Sequence, residues 1–295
     1  MTHRYFKDRY ALQLLAYAAA EAWSVRALRQ SRFARLLMKP SVRQALAHRN
    51  GHGVDWLLLD SYFPPPTEHY VLTFGTWGSL RDWQWNQTTR SGFNIVLQLN
   101  FPAGHDRVYR RLIDPRKEDP FSCGWHPINQ AGLRTLAWSR IDVEPESGEA
   151  LIEEIQSDWI RNAEDAAIDA LSNLVDGSVS PPHWVENVGC DAAQLFWYVE
   201  HALARHRRMW KEAVLSASLW LIREHLGIRR IFMHTHESGC ALKMIDGMRR
   251  PPRSLYEEVP RSFCFERTDQ PPKFLERHLV RSSSRTPFEF WQLRL

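Results

Sequence analysis

The stretch Leu151-Ile152-Glu153-Glu154-Ile155-Gln156-Ser157-Asp158-Trp159 constrains the fold most, because its period changes in mid-run. Up to Gln156 it reads as an apolar-rich strand. From Ser157 or Asp158, residue types that cap helices, it reads as a helix reaching about residue 175. Upstream, residues 133–143 form a second strand, and the turn Glu144-Pro145-Glu146-Ser147-Gly148 joins the two as a hairpin. A strand running straight into a helix marks layered α/β construction, and such junctions gather ligands.

In a regular strand, Glu154 and Gln156 share one face, while Glu153 and Ile155 share the other. Carboxylates beside Leu151 and Ile152 are costly unless they are paired or face a cleft. Glu154 is therefore expected in a polar cluster with Gln156, Ser157 and Asp158, with Glu153 as its insensitive neighbour.

Around this junction, residues 54–60, 69–76, 93–101, 228–235, 261–266 and 288–293 read as strands. Residues 114–130 read as a loop, and the Gly- and Pro-containing stretch near 176–190 as an inserted one. A helical region covers 191–226, with Trp210, Val214, Ala217 and Leu221 on one face and Gly227 as its stop. A short helix is expected at 240–248. Trp159 and Trp210 sit where helices pack on the sheet and are read as structural. The fold class is α+β: a mixed, mainly antiparallel sheet flanked by helices, with one parallel strand–helix–strand crossover. The core is expected to cover 51–295, behind a basic helical N-terminal extension covering 1–50.

That extension carries ten Lys/Arg against two Asp/Glu, which leaves 28 against 32 in the remainder. Residues 8–37 read as helix, and Arg26, Arg29, Arg32 and Arg35 recur every third position. The stripe suits nucleic acid or another polyanion. A basic start before Ala11–Ala20 superficially resembles a signal peptide, but Glu21 and the continuing helical pattern oppose export. No run approaches about 18 apolar residues, so a cytoplasmic chain without a membrane span is expected. Cys123, Cys190, Cys240 and Cys264 are scattered, as reduced thiols would be. Cys123-Gly124-Trp125-His126 has the spacing of half a zinc site. No second pair in the sequence completes it, so no metal is assigned.

The block from Leu136 to Asp158, with Trp138-Ser139-Arg140-Ile141-Asp142 and the Glu154–Trp159 hexapeptide, resembles a domain of large polyvalent proteins of phages and mobile elements. Trp210–Leu226 followed by Arg230-Ile231-Phe232-Met233-His234-Thr235 is similar to its second part. After Trp159 that domain has a basic, Gly-rich stretch with His and Gln; Ile160-Arg161-Asn162-Ala163 stands here instead. This resemblance implies no activity of its own, and a non-catalytic accessory or binding protein of a mobile element or defence system is one reading.

The order of elements also resembles that of the acetyl-CoA-dependent N-acetyltransferases (GNAT-like). This implies acetyl-CoA or another acyl-CoA as cofactor and an amine or nucleic-acid-associated substrate. Gln156, Ser157 and Asp158 would then lie toward the cofactor, Glu154 would be the base and Tyr256 the general acid. The glycine-rich pyrophosphate loop of those enzymes is missing, since residues 156–163 hold no glycine. His234 and His236, which would face the same way in a strand-like extension, are candidates for proton transfer in the same site. A metal-dependent nuclease using Asp142, Glu154 and Gln156 is a third reading, with Gln156 where a lysine is expected.

Overall fold

The computed structural model describes residues 1–20, 25–47, 59, 61–81, 86–116, 119–176, 188–245, 250–280 and 288–295. The hairpin forms as read, from β4 (Thr135–Glu144) and β5 (Glu149–Gln156). Before it come β1 (Thr2–Tyr5), β2 (Glu68–Ser79) and β3 (Gly92–Asn100), each antiparallel to the next. After it come β6 (Arg230–His234), β7 (Glu266–Thr268) and β8 (Phe290–Arg294). The eight strands form one open mixed sheet in the order β1-β2-β3-β4-β5-β6-β8-β7.

The described part of residues 1–50 packs into the core. β1 extends the sheet at one edge, and Arg32 reaches Glu266 of β7 at the other, at 2.8 Å. Tyr5, Tyr10, Leu12, Leu14 and Leu15 are fully buried. Of the helix read at 8–37, α1 (Arg9–Ala20) and α2 (Val25–Arg29) form, residues 21–24 lie outside the described residues, a 3-10 turn takes Ala34–Met38, and α3 (Pro40–Ala47) follows. After α2 the Ser31 hydroxyl donates to Leu28 O and accepts from Phe33 N, competing with the helical ladder.

Helix α4 (Ala103–Ile113) lies between β3 and β4 in the chain. Among the described residues only the β5–β6 pair is parallel, and the crossover between them carries the helices α5 (Asp158–Asp176), α6 (Ala192–Trp197) and α7 (Ala204–Trp220). The expected strand at 54–60 lies outside the described residues apart from Leu59, as does most of the inserted loop.

The larger core joins one sheet face to the crossover helices and the N-terminal segment. Trp210, Val214, Ala217 and Leu221 are all buried, as their spacing predicts. Small side chains let α7 approach closely: Ser218 Oγ lies 2.8 Å from Ser139 Oγ on β4, and Ser216 Oγ donates to Gln13 Oε1 at 2.6 Å. On the opposite face, Leu151, Phe232, Leu242, Leu275 and Phe290 form a smaller cluster.

Two more readings need correction. The helix read at 240–248 starts instead at His236, where Thr235 Oγ1 accepts from Ser238 N, and becomes α8 (His236–Leu242). Residues 253–262 are helix α9 (Arg253–Ser262), and the strand read at 261–266 is displaced to β7. The chain leaves α9 through Cys264, which takes a left-handed φ of 62° while Phe265 N donates back to Pro260 O. Glycine is the usual signal for that geometry, and here a cysteine supplies it.

Candidate functional site

The β4–β5 register explains the site. Arg140 pairs with Glu154 and Ile141 with Ile152, so Glu153 is an extra residue on β5, a β-bulge. Ile152 and Ile155 consequently both enter the larger core, although simple alternation separates them. Glu153 and Glu154 both stay on the polar side, each with its own partners.

Glu153, expected to be an insensitive neighbour, is instead fully buried. Its oxygens accept from Thr89 N at 2.9 Å and Thr89 Oγ1 at 2.7 Å, and His234 Nε2 lies 3.0 Å away. Burial pushes His234 below the ordinary histidine range, and its Nδ1 has no partner among the described residues. These contacts fit a neutral imidazole carrying its proton on Nε2. His234 therefore locks β6 to β5, without access for proton exchange at a cavity.

Glu154 pairs with Arg140, and its Oε2 lies 3.6 Å from Lys243 Nζ. Lys243 is buried and also donates to Glu153 O at 3.0 Å. Burial alone would raise the Glu154 carboxyl; Lys243 and Arg140 outweigh it and hold it below the usual carboxylate range. Arg140 and Lys243 thus occupy the carboxylate that the resemblance implies as the general base. Tyr256 stands nearby. Burial and then the Glu154 charge push its phenol well above the ordinary tyrosine range, and its hydroxyl has no partner among the described residues. Gly239 allows this approach, since a Cβ there would come 3.1 Å from His234 Cβ and 3.6 Å from the Tyr256 ring.

His236 does not share His234's direction, because the chain turns into α8 between them. Its Nε2 lies 3.1 Å from Pro251 O. A different histidine meets the hexapeptide: His126 Nδ1 lies 2.8 Å from Asp158 and 3.2 Å from Gln156 Nε2. Asp158 also accepts from Trp138 Nε1 at 3.1 Å and Arg161 at 2.7 Å. Burial would raise its carboxyl, but His126 first, then Trp138 and Arg161, bring it below the ordinary range. Ser157 turns inward, donating to Leu136 O and accepting from Ile160 N at 3.2 Å as the helix cap. Of the three residues assigned to a cofactor, Gln156 is the one whose side chain stays half-exposed.

β5 pairs with β6 as far as Ile152–Met233; β6 ends at His234, and β5 runs on past it to Gln156. A cavity of about 650 Å³ lies beside this end of β5, lined by Glu154, Gln156, His126, the first turns of α5, Trp210, Ile245, Arg250 and Leu255. Four Lys/Arg line it (Arg161, Arg207, Lys211 and Arg250) against two acids, Glu154 and Glu164, so it suits an anionic ligand.

Asp142 sits opposite Leu151 and is clamped by Arg90 at 2.7 and 2.9 Å. With Glu154 held by its own cations, the carboxylates of the nuclease reading are already neutralised. In the N-terminal stripe, Arg26, Arg29 and Arg35 are exposed while Arg32 is tied to Glu266 and Arg294 O. Replacing the three exposed arginines with Gln is expected to weaken binding to a duplex oligonucleotide. Its salt slope should fall by up to about 0.9 for each phosphate no longer neutralised. An unchanged titration would discard the polyanion role.

Arg140, Lys243 and Thr89 are site residues to which the sequence alone gives no role, and His126 appears there only as half of a metal motif. Of the first three, only Arg140 carries a signal there, as an arginine in an otherwise buried strand facing the carboxylates of the next. No protein-family model, curated protein or solved structure matches this chain. Among the described residues, no helix is long and apolar enough to cross a membrane.

Proposed function

We propose that this chain is acyltransferase-like and that the cavity beside the end of β5 takes a coenzyme A thioester. The observation that carries the reading is a cationic cavity beside the N-terminal turn of the crossover helix, where β5 runs on past the end of β6. The order of elements is the one expected of the N-acetyltransferases. The unpaired stretch of β5 gives an extended, amide-bearing arm a strand edge to follow. Ile155, Ile160, Trp210, Ile245 and Leu255 supply apolar wall, and Lys211 and Arg250 supply charge for phosphates in place of the missing glycine loop.

Tyr256, the general acid that the resemblance implies, is buried and is not among the residues that line the cavity, so no proton-donor role is assigned to it. Glu154 holds Arg140 and Lys243 in place. Its double pairing also favours a second reading, a non-catalytic accessory protein of a mobile element that binds the thioester without turning it over.

Calorimetric titration with acetyl-CoA, followed by thiol release in the presence of amines, separates the two. Acetyl-CoA is expected to bind, and Lys211→Glu with Arg250→Glu to weaken it by roughly tenfold or more through like-charge repulsion. Thiol release in the presence of an amine supports the transfer reading. Binding without release assigns the accessory role. No binding at millimolar acetyl-CoA, or binding indifferent to the double variant, removes the thioester reading.

A further inference from the structure

The loop before β4 carries Cys123 and His126 in a tight turn closed by His126 N donating to Cys123 O at 3.0 Å. In sequence they are half of a ligand set. Folding brings up a third member from 32 residues further along the chain, Asp158 at the start of α5. A sulfur, a ring nitrogen and a carboxylate oxygen from these residues all lie within 4.8 Å of one another. We propose that Cys123, His126 and Asp158 bind a divalent transition-metal ion of the zinc class at the wall of the cavity.

The donor set fits that class. Thiolate, imidazole and carboxylate are all zinc ligands, and three protein ligands leave a fourth tetrahedral position for water. Bonds of about 2.0–2.1 Å to nitrogen and oxygen place those two ligand atoms about 3.3 Å apart. The His126–Asp158 contact of 2.8 Å therefore needs to widen by only about half an ångström. Calcium and magnesium are disfavoured, because sulfur and nitrogen make up two of the three donors.

The supporting shell is present. Trp138 Nε1 donates to Asp158, orienting the carboxylate from the adjoining strand. Asp158 also supplies the negative charge that offsets the positive end of α5, where a cation would otherwise be repelled. Arg161 competes for the same carboxylate at 2.7 Å, but its side chain is half exposed and free to turn toward solvent. Both Cys123 and His126 are partly accessible, so an ion has a way in. Since His126 and Gln156 also line the cavity, the ion would tie the loop to α5 and present its open position beside that space. The site stands whether or not the cavity takes a thioester.

The test is titration of the reduced full chain with Co²⁺ alone. The expected result is one equivalent of cobalt with a thiolate-to-metal charge-transfer band, displaced by Zn²⁺. Cys123→Ser should abolish the band, and Asp158→Asn should weaken binding by roughly tenfold or more. Because Asp158 also starts a helix, a second measurement uses the unaltered protein: Zn²⁺ should slow iodoacetamide labelling of Cys123 but not of Cys190, which is similarly half-buried. A band that is absent or survives Cys123→Ser, or labelling of Cys123 unchanged by Zn²⁺, overturns the site.

Discussion

Replacing Trp159 with alanine is expected to lower unfolding stability by about 3–5 kcal/mol, as measured by urea denaturation at neutral pH. The ring is 1% exposed and lies among Phe101, His105, Tyr109 and Phe121, with centroid separations from 4.9 Å (Tyr109) to 6.1 Å (His105). Its Nε1 donates to Tyr198 Oη at 2.8 Å, and that hydroxyl also meets His105 Nε2 at 2.9 Å. Alanine therefore opens a cavity and leaves the hydroxyl one partner short. Trp159→Phe separates the two costs: it keeps most of the packing and should lose about 1–2 kcal/mol, mainly through the unsatisfied group. An alanine variant that unfolds at the same urea concentration as the parent would show that the hexapeptide's tryptophan is not the anchor of α5.

How far the sequence can be read is clearest at this junction. The turn at 144–148 sets the hairpin register, and Asp142 opposite Leu151 and Ile141 opposite Ile152 follow from it directly. Simple counting then pairs Arg140 with Glu153. The bulge moves it to Glu154, and nothing in the residue types announces the bulge: two adjacent glutamates look alike until one has left the ladder. The expected roles of Glu153 and Glu154 fail for that reason. The helix at 191–226 is legible from its apolar period. Its two π-helical interruptions, Tyr198–Ala202 and Leu221–His225, are not, because an extra residue per turn leaves the composition unchanged. His126 is visible only as half of a motif. Its partner lies in the hexapeptide, and pairing them requires knowing that residues 119–134 fold back over the start of α5.

Lowering the pH from 7.5 to 5 is expected to remove about 4 kcal/mol of stability through His105 and His206 alone, at roughly 2 kcal/mol each. Both rings are buried and stand 5.5 Å apart. Burial is the main cause holding His105 at about 2 and His206 at about 4. For His105 the neighbouring His206 and Arg134 add to it, so two charged rings side by side are doubly disfavoured. The sign follows from proton counts. Below the unfolded-state value of about 6.5 the unfolded chain takes up a proton at each histidine, while the folded chain does not until the pH reaches its own much lower value. Stability is complete above about 6.5 and falls as the pH drops through the window down to about 4. Buried His234, also lowered, contributes in the same direction. Glu153, Glu154 and Asp158 are lowered carboxylates, whose contribution is retained above the ordinary carboxylate value and fades only below it. These three carboxylates therefore add little change between about 6.5 and 5. His206→Gln should be less stable at pH 7.5, through poorer packing and the absence of its contact with Tyr70 Oη at 3.0 Å, yet lose about 2 kcal/mol less than the parent between pH 7.5 and 5. Equal slopes in parent and variant, or a parent whose stability is flat across that interval, would mean that the two rings accept protons in the folded state.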